Sequence, residues 1–260
     1  MSKERPGSGE GSAERLWALY LRDATEAARG LNLESIVEAA IAIADAKGIA
    51  DLSMGTIARD LGYSTMALYR HVPNKADLLE MMVDTAVGPP PADIHEHAGW
   101  REQLIAWSMA IAASYRRHQW VFDVPIAGPP VMPNSVRWME SGLTVLQQTG
   151  LAADELVGLL TTITSYLRGN EQLLAEIMRH GARLVEENGA EPETYGRMLA
   201  RLIPKGELPV LESIVASGVL DTDIGVSMIA EHELDLRFGL DLFLDGIEKL
   251  IERRVAEGQL

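Results

Sequence analysis

Cysteine is absent from the 260 residues, which excludes disulfides, thiolate catalysis, iron–sulfur clusters and Cys-ligated zinc. No apolar run approaches the roughly 18 residues that a membrane-crossing helix needs. The polar, Gly-rich stretch from Met1 to Gly11 has no apolar core of the kind a secretory signal carries, so a soluble, cytoplasmic chain is expected. Strand-type alternation is nearly missing too. So are the G-x-S-x-G elbow, the P-loop and the dinucleotide glycine fingerprint, so no enzyme activity is expected and no catalytic residue or cofactor is assigned. His95-Glu96-His97 and Glu231-His232-Glu233 place like ligands two residues apart. Residues at that spacing diverge on a helix, so no metal site is assigned either.

What the chain has in quantity is helical periodicity. Hydrophobic residues make up 47% of it, ample for a core, and they recur at three- and four-residue intervals almost throughout. The formal charge of −15 is unevenly spread. Met1–Gly30 carries five basic and five acidic residues, Leu31–Gly88 carries four against eight, and Pro89–Leu260 carries 14 against 25. Most of the excess acid therefore lies outside the N-terminal third. A nucleic-acid partner would have to be held by a few well-placed cations rather than by a basic surface.

Gly and Pro cluster at Met1–Ser12, Val87–Pro91 and Ile126–Pro133. They divide the chain into a flexible N-terminal extension (1–30), a compact unit (31–88) and a larger helical region (89–260). Within the extension, Ala13–Arg29 is a candidate short helix through Leu16, Leu19 and Tyr20. The expected fold is all-α. In the compact unit, Leu33, Ile36, Val37, Ala40, Ile41 and Ala44 make one face of a helix. Gly48 stops it. Ser53 is positioned to cap a second helix, with Met54, Ile57, Ala58 and Leu61 inward. Gly62 breaks that helix, Ser64 caps a third that runs to about His71, and Asn74 starts a fourth after Pro73. Beyond the connector, helices are expected at about Trp100–Arg117, Pro133–Gln148, Ala152–Asn188, Glu193–Leu202, Pro209–Ala216 and Ser227–Ala256.

Two short helices joined by a glycine turn have the geometry of a helix-turn-helix. The second would lie in a DNA major groove. Its small N-terminal residues allow close approach. Ser64 and Thr65 offer hydroxyls, and Met66 and Ala67 offer apolar contact to a thymine methyl. Tyr69, His71 and Lys75 are placed to reach phosphates, Lys75 with the free N–H groups of the next helix. Arg70 is a nearby cation. Tyr63 and Leu68 read as core.

The segment LSMGTIARDLGYSTMALYRHVPNKADLL, Leu52–Leu79, resembles the DNA-binding domain of the TetR (tetracycline repressor) family. That pattern is met by Ala58, Leu61, Gly62, Leu68, Tyr69, His71, Val72, Lys75, Leu78 and Leu79. Trp120–Leu143 is similar to the tetracycline-repressor type of C-terminal domain. The resemblance implies a homodimeric transcriptional regulator, a repressor released from a palindromic operator by a small-molecule ligand. It also implies a departure: Gly55 stands where the family often has Arg or Lys, and Gly weakens the helix by roughly 1 kcal/mol. Thr56 and Arg59 are the candidates to compensate.

Pairing of subunits is expected on the last helix. There Leu236, Leu240, Phe243, Ile247 and Leu250 form a seam, and Leu234, Phe238 and Leu242 form a second stripe. Leu156, Leu159, Leu160, Ile163 and Leu167 form a comparable face earlier, and the resemblance implies a four-helix dimer bundle from the two helices. For a largely apolar effector, the candidate contacts are Trp107, Tyr115, Trp120, Trp138, Met139, Tyr166, Asn170 and Met178, because Trp and Met suit adaptable cavities. Tyr166 and Asn170 would orient it. Competing readings are a helical protein-interaction or small-molecule-binding module without DNA binding and, more remotely, an enzyme.

Overall fold

The computed structural model describes residues 8–20, 30–188, 193–221 and 226–260. Every regular element among them is helical. They form two compact units, one of residues up to Ser165 together with Arg253–Leu260, the other of Tyr166–Glu252. The boundary expected at residue 88 falls inside the first.

The first unit opens with α1 (Ser8–Tyr20). The extension expected to be flexible is thus helical over much of its first twenty residues, with Ala13 and Leu16 buried. The candidate helix over Ala13–Arg29 begins earlier than expected, and residues 21–29 lie outside the described residues.

Next come α2 (Leu33–Lys47), α3 (Met54–Leu61), α4 (Thr65–Tyr69) and α5 (Lys75–Val87). Each begins at a polar cap. Asn32 and Ser35 exchange hydrogen bonds at the start of α2, and Ser53 and Thr56 do so at α3. Ser64 and Asn74 accept from Ala67 N and Asp77 N at α4 and α5. These caps satisfy amides that no helical carbonyl can reach. Gly62 ends α3 at φ 75° and ψ 25°, a left-handed conformation that costs any other L residue energy. Ile36, Ile57, Leu68, Val72, Leu78, Met81 and Met82 close the core beneath these helices.

The unit continues through α6 (Gly99–Arg117), a 3-10 turn at Gln119–Asp123, α7 (Pro133–Gln147) and the first part of α8 (Ala153–Asn188). Trp107 and Trp138 meet edge to face at 5.7 Å. Gly142 on α7 lets Trp107 and Leu160 close over its backbone. Two buried Trp side chains of about 150–250 Å² each remove enough apolar area for roughly 4–6 kcal/mol apiece. Arg254 pairs with Glu155 at 2.7 Å and brings the C-terminal end of the chain onto this unit.

The second unit holds the rest of α8, then α9 (Tyr195–Leu202), α10 (Pro209–Ala216) and most of α11 (Val226–Ala256). Leu167, Leu174 and Ala175 are buried, as are Leu236, Leu240, Leu244 and Ile247. The Tyr166 ring stands edge-on to Phe243 at 5.1 Å and lies directly over Gly239. The seam expected to pair two subunits is therefore largely internal. Leu234, Phe238 and Leu242 are the open stripe, at 71%, 68% and 59% exposure.

Candidate nucleic-acid interface

The outer surface of α3 and α4 follows from how α4 is anchored. Leu68 is fully buried. With that one side chain inward, a five-residue helix turns its other positions out. Ser64, Thr65, Met66, Tyr69 and Arg70 are all exposed, Met66 at 69% and Tyr69 at 47%. This is the expected arrangement of two hydroxyls, an apolar tip, a phenol and a cation on one short helix. His71 is half-buried and follows directly, with its amide on Leu68 O at 2.9 Å. Arg59 is exposed on α3.

One expectation is corrected. Tyr63 is not core: it is 45% exposed, beside the Gly62 turn. The Thr56 hydroxyl is engaged in the α3 cap, where Oγ1 accepts from Ser53 N at 2.9 Å and donates to Ser53 O at 2.8 Å. The Lys75 ammonium donates to Leu52 O at 2.7 Å, so it ties the start of α5 to the turn before α3. Gly55 is exposed, and a Cβ there would meet nothing closer than Ser53 Oγ at 3.7 Å. Its missing side chain is thus not demanded by packing. A concavity of about 530 Å³ opens between α2 and α3, lined by Ile43, Lys47, Asp51, Thr56, Arg59 and Asp60. Its two cations are matched by two carboxylates.

Two acids, the exposed Asp45 and the buried Asp84, join α2 and α5 to the elements that follow. Asp45 on α2 receives Trp120 Nε1 at 2.6 Å and lies 2.8 Å from His118 Nδ1. Asp84 on α5 receives the Asn134 amide at 3.0 Å, the Ser135 amide at 2.8 Å and the Ser135 hydroxyl at 2.9 Å. It thereby caps α7 from another element. Burial raises the Asp84 carboxyl above its usual range, and the Asn134 and Ser135 donors pull it part of the way back. Trp138 Nε1 donates to Gly88 O at 2.8 Å, just past α5. None of these acids was singled out in the sequence. Their partners lie 50 to 75 residues away, and no local pattern marks such a pairing.

The expected effector contacts are divided between the two units. Trp107 Nε1 donates to Trp138 O at 3.1 Å, Tyr115 packs on Phe122, Trp120 is held by Asp45, and Met139 is exposed. These five belong to the first unit. Tyr166, Asn170 and Met178 belong to the second. There the Tyr166 hydroxyl donates to Leu236 O at 3.2 Å and Asn170 Nδ2 to Tyr166 O at 2.9 Å, while Met178 is half-buried. In that unit sequence reasoning missed Glu171. It is buried on α8, with Oε1 3.3 Å from His232 Nε2.

The family model "Bacterial regulatory proteins, tetR family" matches residues 36–82, the span from α2 into α5. A second, "Tetracyclin repressor-like, C-terminal domain", matches residues 91–251. The chain belongs to the TetR family. Among relatives of this TetR-family chain is the HTH-type transcriptional repressor DrrR1 of Streptomyces coeruleorubidus, 34% identical over 98% of this chain and 92% of that protein. Another is the HTH-type transcriptional repressor Rv1353c of Mycobacterium tuberculosis, 24% identical over 86% of this chain and 82% of that one. The fold is shared with the Streptomyces coelicolor TetR family protein ActR, solved in complex with actinorhodin. The TM-score is 0.64 at 20% identity, over 85% of this chain and 99% of that one. In this TetR-family chain α1 precedes both matched segments, and α4 lies wholly within the first.

Proposed function

We propose that this TetR-family regulator is a transcriptional repressor that holds a palindromic operator as a homodimer and lets go when a small molecule binds. The observation that carries the reading is the outward face of α4: Ser64, Thr65, Met66 and Tyr69 exposed on a helix pinned by Leu68 behind a glycine turn. Ser64, Thr65 and Met66 read base edges. Tyr69, Arg70, His71 and Arg59 lie against the backbone and set register. Thr56 and Lys75 act one step back, holding the start of α3. One such helix covers too little DNA, so two copies related by a two-fold axis read two half-sites. The open Leu234, Phe238 and Leu242 stripe supports pairing through α11.

The effector is a largely apolar small molecule accepted among the Trp- and Met-rich helices of the C-terminal region. The bound actinorhodin of ActR, a protein of the same fold, supports that class of partner. Binding re-packs those helices, and α5 moves with α7 through the Asp84 contacts. The two α4 helices then no longer match successive major grooves about 34 Å apart. Such a shift requires the ligand to favour one state over the other. The regulator works in the cytoplasm, where its DNA lies.

Selection from a random duplex pool tests the reading. It should return a two-fold-symmetric motif with half-sites about one helical turn apart. Tyr69→Phe should weaken binding to all sequences by about 1 kcal/mol, the worth of one hydrogen bond. Met66→Ala should relax preference at one position of each half-site, by less than the roughly 1–3 kcal/mol of a bidentate base contact. A protein that enriches no sequence at low ionic strength would overturn it.

A further inference from the structure

Helix α1 lies outside both segments that define the family match, yet it is packed against α5 and α7. It touches them differently. Toward α5, Arg15 approaches the buried Asp77 carboxylate at 3.8 Å. Toward α7, Trp17 Nε1 donates to Val131 O at 2.9 Å, two residues before that helix begins. Ala13 and Leu16, on the same face, are buried at 7% and 6% exposure. The helix therefore bridges α5 and the segment that leads into α7, the two elements that Asp84 also joins.

The anchorage is thin. Thirteen residues are near the lower limit for a helix that stands alone in water, and Ser8, Gly9, Gly11 and Ser12 weaken the first turns further. Leaving the α5–α7 surface and losing helical structure are then one event. While docked, α1 adds its own contacts to those that α5 and α7 make directly, the Asp84 and Gly88 bonds among them.

We propose that α1 is a strap whose docking sets the angle of the DNA-binding domain on the body, and that its order–disorder equilibrium tunes operator affinity. The operator part rests on the function proposed above; the docking part does not. Two substitutions should push the equilibrium opposite ways. Gly11→Ala adds a methyl where nothing lies within 4 Å, and should favour docking by roughly fivefold through helix propensity. Leu16→Ala removes the buried anchor and should raise the undocked fraction at least about tenfold.

The absence of native cysteine allows a dye pair at Ala46→Cys on α2 and Gln147→Cys on α7, both exposed. Labelled chains mixed with excess unlabelled protein place one pair in each dimer. Leu16→Ala, and a chain lacking residues 1–20, should broaden the α2–α7 distance distribution. Gly11→Ala should narrow it. Trp17→Phe, which loses the N–H donor and part of the ring but stays aromatic, should fall between wild type and Leu16→Ala and guards against a folding defect. Operator affinity should shift at least about threefold in opposite directions for Gly11→Ala and Leu16→Ala, in line with those fold-changes. Unchanged distances in Leu16→Ala and in the truncated chain overturn the strap. So do affinities that move together, or not at all, in a protein that binds its operator. If wild type binds no duplex, the operator reading falls and the distance distributions alone decide whether the strap stands.

Discussion

Ser135 donates both its amide and its hydroxyl to one oxygen of Asp84, at 2.8 and 2.9 Å. An exposed carboxylate at a helix N-terminus is worth a few tenths of a kcal/mol to about 1. This one is 3% exposed, so the contact matters more and tolerates less change. It is a direct polar link from α5, which follows α4, to α7.

Asp84→Ala should leave the amides of Asn134 and Ser135 and the Ser135 hydroxyl without their acceptor in a buried place. The expected loss is about 2–5 kcal/mol of unfolding free energy. Asp84→Asn keeps one acceptor but turns an amide N–H toward the Asn134 donor, and should lose about 1–3 kcal/mol. Both are read by urea unfolding. Stability equal to wild type in both would show that the clamp is dispensable.

The same group has a pH signature. Burial raises the Asp84 carboxyl despite its donors, so the native state keeps this proton to a higher pH than the unfolded chain does. The stability it contributes is complete below the ordinary Asp range near pH 4 and is lost as pH rises through the raised folded value. Glu80, raised by burial and by the neighbouring Asp77 charge, adds in the same sense. Glu155, lowered by Arg254, acts in the opposite sense, losing stability as pH falls. Subtracting the Asp84→Asn curve from wild type isolates the first effect. The difference should decline with rising pH above about 4, and a difference that grew would contradict the assignment.

Much of this fold could be read from local chemistry. Asn32, Ser53, Ser64 and Asn74 each sit where a cap belongs, and the glycines at 48 and 62 sit where a helix must stop. The end of α2 was legible to the residue for that reason, and the start of α10 because Pro209 suits the first helical position. Tyr63 was not, because a large aromatic after a glycine turn carries no signal of which way it faces. The stripes of α11 were both visible, but periodicity alone does not say which stripe meets the chain itself. Lys75 carries a local signal only as a cation that could reach a phosphate, whereas its bond to Leu52 O joins residues 23 apart. The effector contacts were legible least. Trp and Met serve a packed interior as well as a cavity, and here the indoles of Trp107, Trp120 and Trp138 all donate within the protein.

Packing at Gly142 gives a prediction independent of charge. A Cβ there would lie 2.5 Å from Leu160 Cδ1 and 3.1 Å from Trp107 Cε2. Both neighbours are buried, so neither can give way into solvent. Gly142→Ala gains roughly 1 kcal/mol of helix propensity but overpacks by about 1–3 kcal/mol. A net loss is expected, read as a lower urea midpoint with unchanged slope. A rise in the midpoint would mean that the contact yields freely.

The open stripe of α11 gives the last. Leu234, Phe238 and Leu242 stand one helical turn apart on one face, all well exposed. A row of large apolar side chains at this spacing is better matched to another helix than to water. In a two-fold dimer each residue enters the interface twice, and two Phe238 side chains contribute roughly 3–6 kcal/mol at 1.5–3 each. Phe238→Asp should therefore raise the dimer dissociation constant by roughly 10²–10⁴-fold, at 1.4 kcal/mol per tenfold. Helical content should stay unchanged, because the side chain is not part of the internal core. Leu240→Asp, two residues on and on the buried face, should instead unfold the region. Sedimentation velocity over a dilution series separates these outcomes. A dimer that survives Phe238→Asp unchanged would move the pairing surface elsewhere.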